Sequence, residues 1–339
     1  MEDIVKLFAC CIPVKGHIRS IICDIQRMKY DFIPNTLYEI LIIHENKSLA
    51  YIKEYYGNEH DETIEQYFAF LLESEYAFIC QEKDITRFPK LDLSWQSPSL
   101  ITNSIIDLPE EQLNLDFHGI SKQLDELGCN ALQIRCYKDI KLENVAEILK
   151  AFSRSRLRHI DVLLKFNSGY TSDDYEPLFA DNPRLFFLTL HSANENTIFS
   201  PQGTTLCIHL TTKKISSAAD CGCINPSYFS PNIATFTEAQ NHNTCLNRKI
   251  SIDSSGNIKN CPSMNENYGN IRNTTLKSVA ESKKFKELWN LNKDKVSVCQ
   301  DCEFRYICTD CRVFKTDDTD IYSKPAKCSY DPYTATWAD

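Results

Sequence analysis

The last hundred residues constrain this chain most, because seven cysteines there stand at spacings that suit metal better than packing. They are Cys245, Cys261, Cys299, Cys302, Cys308, Cys311 and Cys328. In CLNRKISIDSSGNIKNC, ten residues separate Cys245 from Gly256 and four separate Gly256 from Cys261. The strand LNRKISID, the turn residues Ser254, Ser255 and Gly256, and the short strand NIKN predict a hairpin, the glycine supplying a positive φ. Such a hairpin brings its two terminal thiolates together. In CQDCEFRYICTDC, Cys299, Cys302, Cys308 and Cys311 have two, five and two residues between them, and Cys328 follows in KPAKCSYDPY. Four thiolates complete one centre, so seven exceed one site and fall one short of two. The CxxC pairs alone fit zinc and iron–sulfur centres alike. The competing reading is a zinc-ribbon scaffold on Cys299, Cys302, Cys308 and Cys311 with no redox role, which leaves Cys245, Cys261 and Cys328 without work.

The 339 residues allow two or three domains. Glu2 and Asp3 stand where a secretory signal would be basic, and the apolar run ends at Pro13, so neither a signal peptide nor a membrane span is expected. Sixteen cysteines without an export signal argue for a reducing, cytoplasmic setting. A net charge of −9 disfavours a nucleic-acid partner, because phosphate binding draws on clustered Lys and Arg.

The reading divides the chain into an α/β protein of three parts: residues 1–96, 97–220 and 221–339. In the first, RSIICDIQRMKYDFIP predicts a hairpin. Thr36 and Glu39 match a capping box, a second helix begins near Ser48 and stops at Gly57, and a third follows Asp61 as N-cap with Ile64, Tyr67, Phe68 and Leu71 along one face. Two strands and three helices make a winged-helix-like unit. The order resembles the precursor-peptide recognition elements of ribosomal peptide maturation systems, which take a leader peptide as an added strand. That resemblance puts Tyr30 and Phe32 on the strand, with Tyr67 or Phe68 on the helix, as candidate peptide contacts. An aromatic stripe at helical spacing is more often core than binding surface, which favours core for Phe68 and Leu71.

Residues 97–220 alternate strand and helix, with strands beginning near residues 101, 131, 159, 184 and 205, which implies a parallel sheet and a partial (β/α) barrel. CGCINPSYF at the start of the last part offers Cys221 and Cys223 as the missing eighth ligand.

The cysteine order resembles the SPASM domain, the iron–sulfur module that follows the barrel of many peptide-modifying radical-SAM proteins. The departure is the two-residue gap between Cys308 and Cys311, where the pattern has three. The resemblance implies two [4Fe–4S] clusters, with Cys245, Cys261 and Cys311 on the first and Cys299, Cys302, Cys308 and Cys328 on the second; the first then needs one more ligand from upstream, for which Cys221 is favoured over Cys223. A radical-SAM barrel would carry CxxxCxxC after its first strand; PEEQLNLDFHG holds no cysteine and the triplet occurs nowhere in the chain. The barrel therefore reads as degenerate, and no S-adenosylmethionine cluster is expected. This combination, with LFACCIPVKG, NHNTCLNRKISID, NCPSMNENYGNI, CEFRYICTDCR and YDPYTATW, is similar to the SPASM proteins of grasp-with-spasm peptide maturation systems. The likeness implies a precursor peptide and an ATP-grasp ligase as partners, and leaves adaptor and cluster-dependent enzyme both open, with no catalytic residue assigned.

The remaining cysteines read as small hydrophobes, Cys10 and Cys11 least securely. Arg305 and Arg312 are candidates to offset cluster charge, and His242 to shape nearby hydrogen bonds. KSVAESKKFKELWNLNK predicts one amphipathic helix with Val279, Phe285 and Leu288 facing in. Asp107, Lys138 and His191, near strand ends, form no recognisable constellation.

Overall fold

The computed structural model describes residues 3–109, 115–200 and 207–338. The chain is a mixed α/β protein of two compact units, one of Met1–Trp95, Cys223–Thr244 and Leu291–Asp339, the other of Gln96–Gly222 and Cys245–Asn290.

In the first unit, β1 (Asp3–Leu7), β2 (Cys11–Val14), β3 (Ser20–Asp24) and β4 (Lys29–Ile33) precede the helices α1 (Asn35–Ile43), α2 (Leu49–Tyr55) and α3 (Asp61–Glu73), and β5 (Ala77–Gln81) follows. The expected hairpin is β3–β4, but it carries a third antiparallel strand, β2, while β1 pairs apart with β5. Ile21, Ile22 and Cys23 of the central β3 are all fully buried because both faces of this sheet are covered. Ile22 and Ile33 face a core with Leu37, Ile64, Phe68 and Leu71 from the helices. Ile21 and Cys23 face a second core with Phe236, Phe304, Ile307 and Tyr330. Two covered faces explain why RSIICD runs apolar without alternation.

Two predicted caps are corrected. The Thr36–Glu39 capping box does not form: α1 starts from Pro34 with no side-chain cap, and the Thr36 hydroxyl meets the Tyr67 hydroxyl at 2.9 Å. Asn35 instead bonds Ser20 and the carbonyls of Gly16 and His17, and Pro34 presets the entry angle. Asp61 is the first helical residue, with His60 as N-cap. The second helix is as expected, capped by Ser48 accepting from Tyr51 N–H and closed by Gly57 at φ +70°.

Gly16 makes the closest approach in this unit. A Cβ there would strike the Arg19 carbonyl and sit 2.8 Å from Glu303 Cβ. Glu303 is 1% exposed, bound by Arg19 Nε at 2.9 Å and by the Tyr330 hydroxyl at 2.6 Å. Gly16→Ala is expected to destabilise the protein by about 1–3 kcal/mol through overpacking, read as a lowered Tm.

Among the described residues the second unit is built on an eight-stranded sheet. β6 (Asn103–Asp107), α4 (Phe117–Glu126), β7 (Ala131–Arg135), α5 (Leu142–Ala151), β8 (His159–Lys165), α6 (Ser172–Ala180), β9 (Leu185–His191), β10 (Thr197–Phe199) and β11 (Cys207–Thr211) follow in sequence. β6, β7, β8, β9 and β11 run parallel, as the alternation predicts. The predicted starts fall close to those observed, and residues 205 and 206 lie outside the described residues, as do residues 110–114 of the loop after β6. What the reading missed is that the cysteine-bearing hairpin belongs to the same sheet. Its strand β12 (Lys249–Ile252) pairs parallel with β6 and carries β13 (Ile258–Lys259), giving the order β10-β11-β9-β8-β7-β6-β12-β13.

The long amphipathic helix is also corrected. Helix persists only over Leu276–Glu281, and a 3₁₀ turn follows at Glu287–Asn290. Ser282 leaves helical geometry and its hydroxyl accepts from Phe285 N–H, offering the backbone an alternative partner. Val279, Phe285 and Trp289 are buried, whereas Leu288 is only half-buried.

Candidate metal centres

In the sheet-bearing unit the hairpin gathers Cys245 and Cys261 as its spacing predicts, with Gly256 at φ +83° in the turn. The strand is shorter than read, because residues 244–248 form turns and Asn260 anchors the base by donating to the carbonyls of Leu246 and Lys249 at 2.9 and 2.7 Å. Lys249 opens β12, and its Nζ lies 3.4 Å from Cys245 Sγ. Burial works against this ammonium, yet the negative fields of Cys245, Cys261 and Cys221 hold it above its ordinary range. Burial pushes the Cys261 thiol up, while Lys249 and the Ser263 N–H pull the other way.

Cys221 therefore belongs electrostatically with Cys245 and Cys261. It follows a 3₁₀ turn, Ala218–Asp220, and the Ser263 hydroxyl donates to the Ala218 carbonyl at 2.7 Å, tying the Cys221 loop to the residues after Cys261. Beside it is a buried ion pair: Arg135 donates to both Asp107 oxygens, at 2.6 and 3.0 Å, and the Tyr137 hydroxyl adds a third bond at 3.2 Å. Burial raises Asp107 despite Arg135, and Arg135 also lies in the field of Cys221. Asp107 is thus fully engaged at a strand end.

In the other unit, Cys299, Cys302, Cys308 and Cys328 share surroundings. A 3₁₀ turn over Cys299–Asp301 is closed by Cys302 N–H on the Cys299 carbonyl at 3.1 Å, and Cys308 N–H bonds the Phe304 carbonyl at 3.0 Å. Val298 precedes them at φ +69°, a strained conformation for a β-branched residue. Lys293, 5% exposed, directs its ammonium to the Thr309 carbonyl at 3.3 Å and to Cys308. Burial opposes its charge, and Cys308, Asp310 and Cys299 together hold it well above the usual lysine range. Burial pushes the Cys299 thiol up to about 12, with Asp310, Cys308 and Cys328 adding to the rise and Lys293 opposing it.

Asp310 falls inside the shortened Cys308–Cys311 gap. It is 1% exposed, receiving Asn243 Nδ2 at 2.6 Å and Arg312 Nε at 2.9 Å. Arg312 also donates to the Ser323 carbonyl at 2.8 Å, so it fixes the loop leading to Cys328. Cys311, between Asp310 and Arg312, is buried; Cys223, in the same unit, is exposed. Arg305 bonds Asp294 at 3.0 Å and the Cys302 carbonyl at 3.0 Å. His242 stacks edgewise on Trp95, 5.6 Å between ring centroids.

Each thiolate group thus has its own lysine, Lys249 or Lys293, and Lys293 is buried rather than on the wet face of a helix as the run KSVAESKKFKELWNLNK suggests. Grouped cysteine sulfurs beside an inward-facing cation fit the donor set of an iron–sulfur cluster, whose ligating thiolates such a cation would offset. The only sequence signal was a lysine four residues after Cys245 and another six before Cys299.

Of the peptide-contact candidates, Tyr30 and Phe32 meet edge to face with ring centroids 5.9 Å apart, and Phe68 lies away from them. Tyr30 and Phe32 pair across the strands with Cys23 and Ile21, so they face Phe304, each 5.8 Å from its ring. Phe68 is buried on the other face, and Tyr67 is half-buried. Phe32 remains 46% exposed with the Arg19 guanidinium 3.6 Å over its ring. Among the described residues β4 pairs with β3 alone. No helix of the described residues is long and apolar enough to cross a membrane.

Residues 244–303 match SPASM, described as an iron-sulfur cluster-binding domain. The chain is similar to Streptococcus suis SuiB bound to the precursor peptide SuiA, with 12% identity, a TM-score of 0.44, and coverage of 95% of this chain and 98% of that one. It is similar likewise to SuiB bound to S-adenosylmethionine, with 11% identity, a TM-score of 0.43, and coverage of 95% and 99%. No curated protein matches the chain.

Proposed function

We propose that this chain is an iron–sulfur protein of a ribosomal peptide maturation pathway that holds two [4Fe–4S] clusters, binds a precursor peptide and works with an ATP-grasp ligase, without radical-SAM chemistry. The observation that carries the cluster assignment is the pair of separate thiolate groups, each with its own inward lysine, in a stretch that includes the SPASM match. Cys221, Cys245 and Cys261 would serve one cluster and Cys299, Cys302, Cys308 and Cys328 the other, while Cys311, expected with the first three, belongs to the unit that holds the second four. Bound there, the clusters would supply electron transfer or, with an iron left open, a Lewis acid. Lys249 and Lys293 would offset their negative charge, and Arg305 and Arg312 hold the loops that present the sulfurs.

The peptide assignment rests on the motifs shared with grasp-with-spasm proteins and on the one-sided pairing of β4, whose outer edge offers backbone N–H and C=O groups to a guest strand. Of the four aromatic candidates, Phe32 and Tyr67 keep surface for such a guest, while Tyr30 and Phe68 support it from below.

Cys221→Ser is expected to cut cluster content by about half while leaving the second cluster in place, read as iron and sulfide per chain. Unchanged content would remove Cys221 from the ligand set. The pathway is tested by co-expressing precursor and ligase with and without this chain and weighing the peptide. A mass shift that depends on the chain is the expected result, and an identical shift in its absence contradicts the proposal.

A further inference from the structure

Cys10 and Cys11 belong to neither thiolate group. Cys10 sits in the turn between β1 and β2, and Cys11 opens β2, paired in register with Asp24 at the end of β3. Cys11 N–H donates to the Phe8 carbonyl at 2.8 Å and Ile25 N–H donates to the Cys10 carbonyl at 3.0 Å, which fixes the turn. The two Sγ atoms are 4.0 Å apart, and both sulfurs and an Asp24 oxygen lie within 4.8 Å of one another. Cys11 and Asp24 are 3% and 1% exposed, while Cys10 is half-buried and lines a cavity of about 760 Å³ with Phe8, Ile25, Met28 and Phe88.

We propose that Cys10, Cys11 and Asp24 form a further metal site, for one zinc ion, distinct from the thiolates of the iron–sulfur domain. Tetrahedral zinc with Zn–S bonds of about 2.3 Å places its sulfurs roughly 3.8 Å apart, close to the separation found here. Two sulfurs exclude the oxygen-seeking cations and suit zinc. Charge balances as well: two thiolates and a carboxylate around a divalent cation leave one negative charge, and Arg27 Nε already stands 2.5 Å from Asp24 Oδ2. Asp24 Oδ1 accepts from the N–H groups of Gln26 and Arg27 at 3.0 and 2.8 Å, so the carboxylate is oriented by its surroundings as a ligating carboxylate is. Three protein ligands leave the fourth position of zinc to water or a small anion, and the cavity beside Cys10 gives a path of entry. The proposal does not depend on the peptide reading.

The test uses the full chain purified without oxygen. Zinc chloride is added, excess is dialysed away, and zinc and iron per chain are measured together with zinc-edge X-ray absorption. The expected result is about one zinc per chain with unchanged iron and two sulfur scatterers per zinc. Cys10→Ser is expected to weaken retention at least about tenfold without loss of iron, and Asp24→Asn to do likewise. Should Asp24→Asn fail to fold, Cys10→Ser carries the test, since Cys10 lies in a half-buried turn. No retained zinc, equal retention in the folded variants, zinc with four sulfur scatterers, or a Cys10–Cys11 disulfide in place of zinc would each overturn the proposal.

Discussion

Arg135→Met is expected to destabilise the sheet-bearing unit by about 3–5 kcal/mol, because it strands a buried carboxylate. Asp107 and Arg135 end adjacent parallel strands with side chains only 6% and 5% exposed, and no other cation is paired with Asp107 among the described residues. Burial already lifts the Asp107 carboxyl, and losing Arg135 lifts it further. An acid raised in the folded state binds more protons there than when unfolded, so stability falls as pH rises from the ordinary carboxylate range, about 3.9, through the raised folded value. The defect should therefore be smaller in acid than at neutral pH. Thermal melts of the variant at both conditions check this. Pairing Arg135→Met with Asp107→Leu should restore most of the loss, since an apolar pair replaces an ionic one without an orphaned charge. A loss under about 1 kcal/mol for the single variant would contradict the burial of the pair.

Lys293→Met is expected to lower the reduction potential of the cluster proposed for Cys299, Cys302, Cys308 and Cys328 by roughly 100 mV, the scale of one unit charge acting at a few ångströms in a partly screened interior. Methionine keeps the length and apolar stem of lysine, so packing changes little while the cation disappears. Reduction would add an electron to an already negative centre, and the inward ammonium of Lys293, beside Cys308 and Cys299, would stabilise the reduced form more than the oxidised one. Spectroelectrochemical titration of the variant, with the exposed Lys277→Met as a control, reads the shift. An unmoved potential would place Lys293 outside the field of that cluster. Lys249→Met should shift the other centre in the same direction.

Much of this was legible because the signals were local. The Cys245–Cys261 hairpin was written in its own turn, with Gly256 at a positive φ, and the β/α alternation of the parallel strands was written in apolar runs between amphipathic helices. What failed was non-local. Lys249 and Lys293 look like surface lysines in sequence, and only the packing of β12 and of the Lys293–Lys295 turn points them at sulfur. Asp310 reads as an ordinary loop acid, yet Asn243 and Arg312, distant in sequence or folded back on it, bury it. Tyr30 and Phe32 were read correctly as strand residues, but the face they share is set by cross-strand register with Cys23 and Ile21, and Phe304 claims it. The long helix after Leu276 failed at Ser282, whose hydroxyl competes for the backbone in a way that periodicity does not register.

The central claim is that the two thiolate groups hold two iron–sulfur clusters. Purifying the protein without oxygen and measuring iron, acid-labile sulfide and zinc per chain tests it most directly. About eight irons with matching sulfide is the predicted result. Zinc filling the thiolate groups, with neither iron nor sulfide, would contradict it.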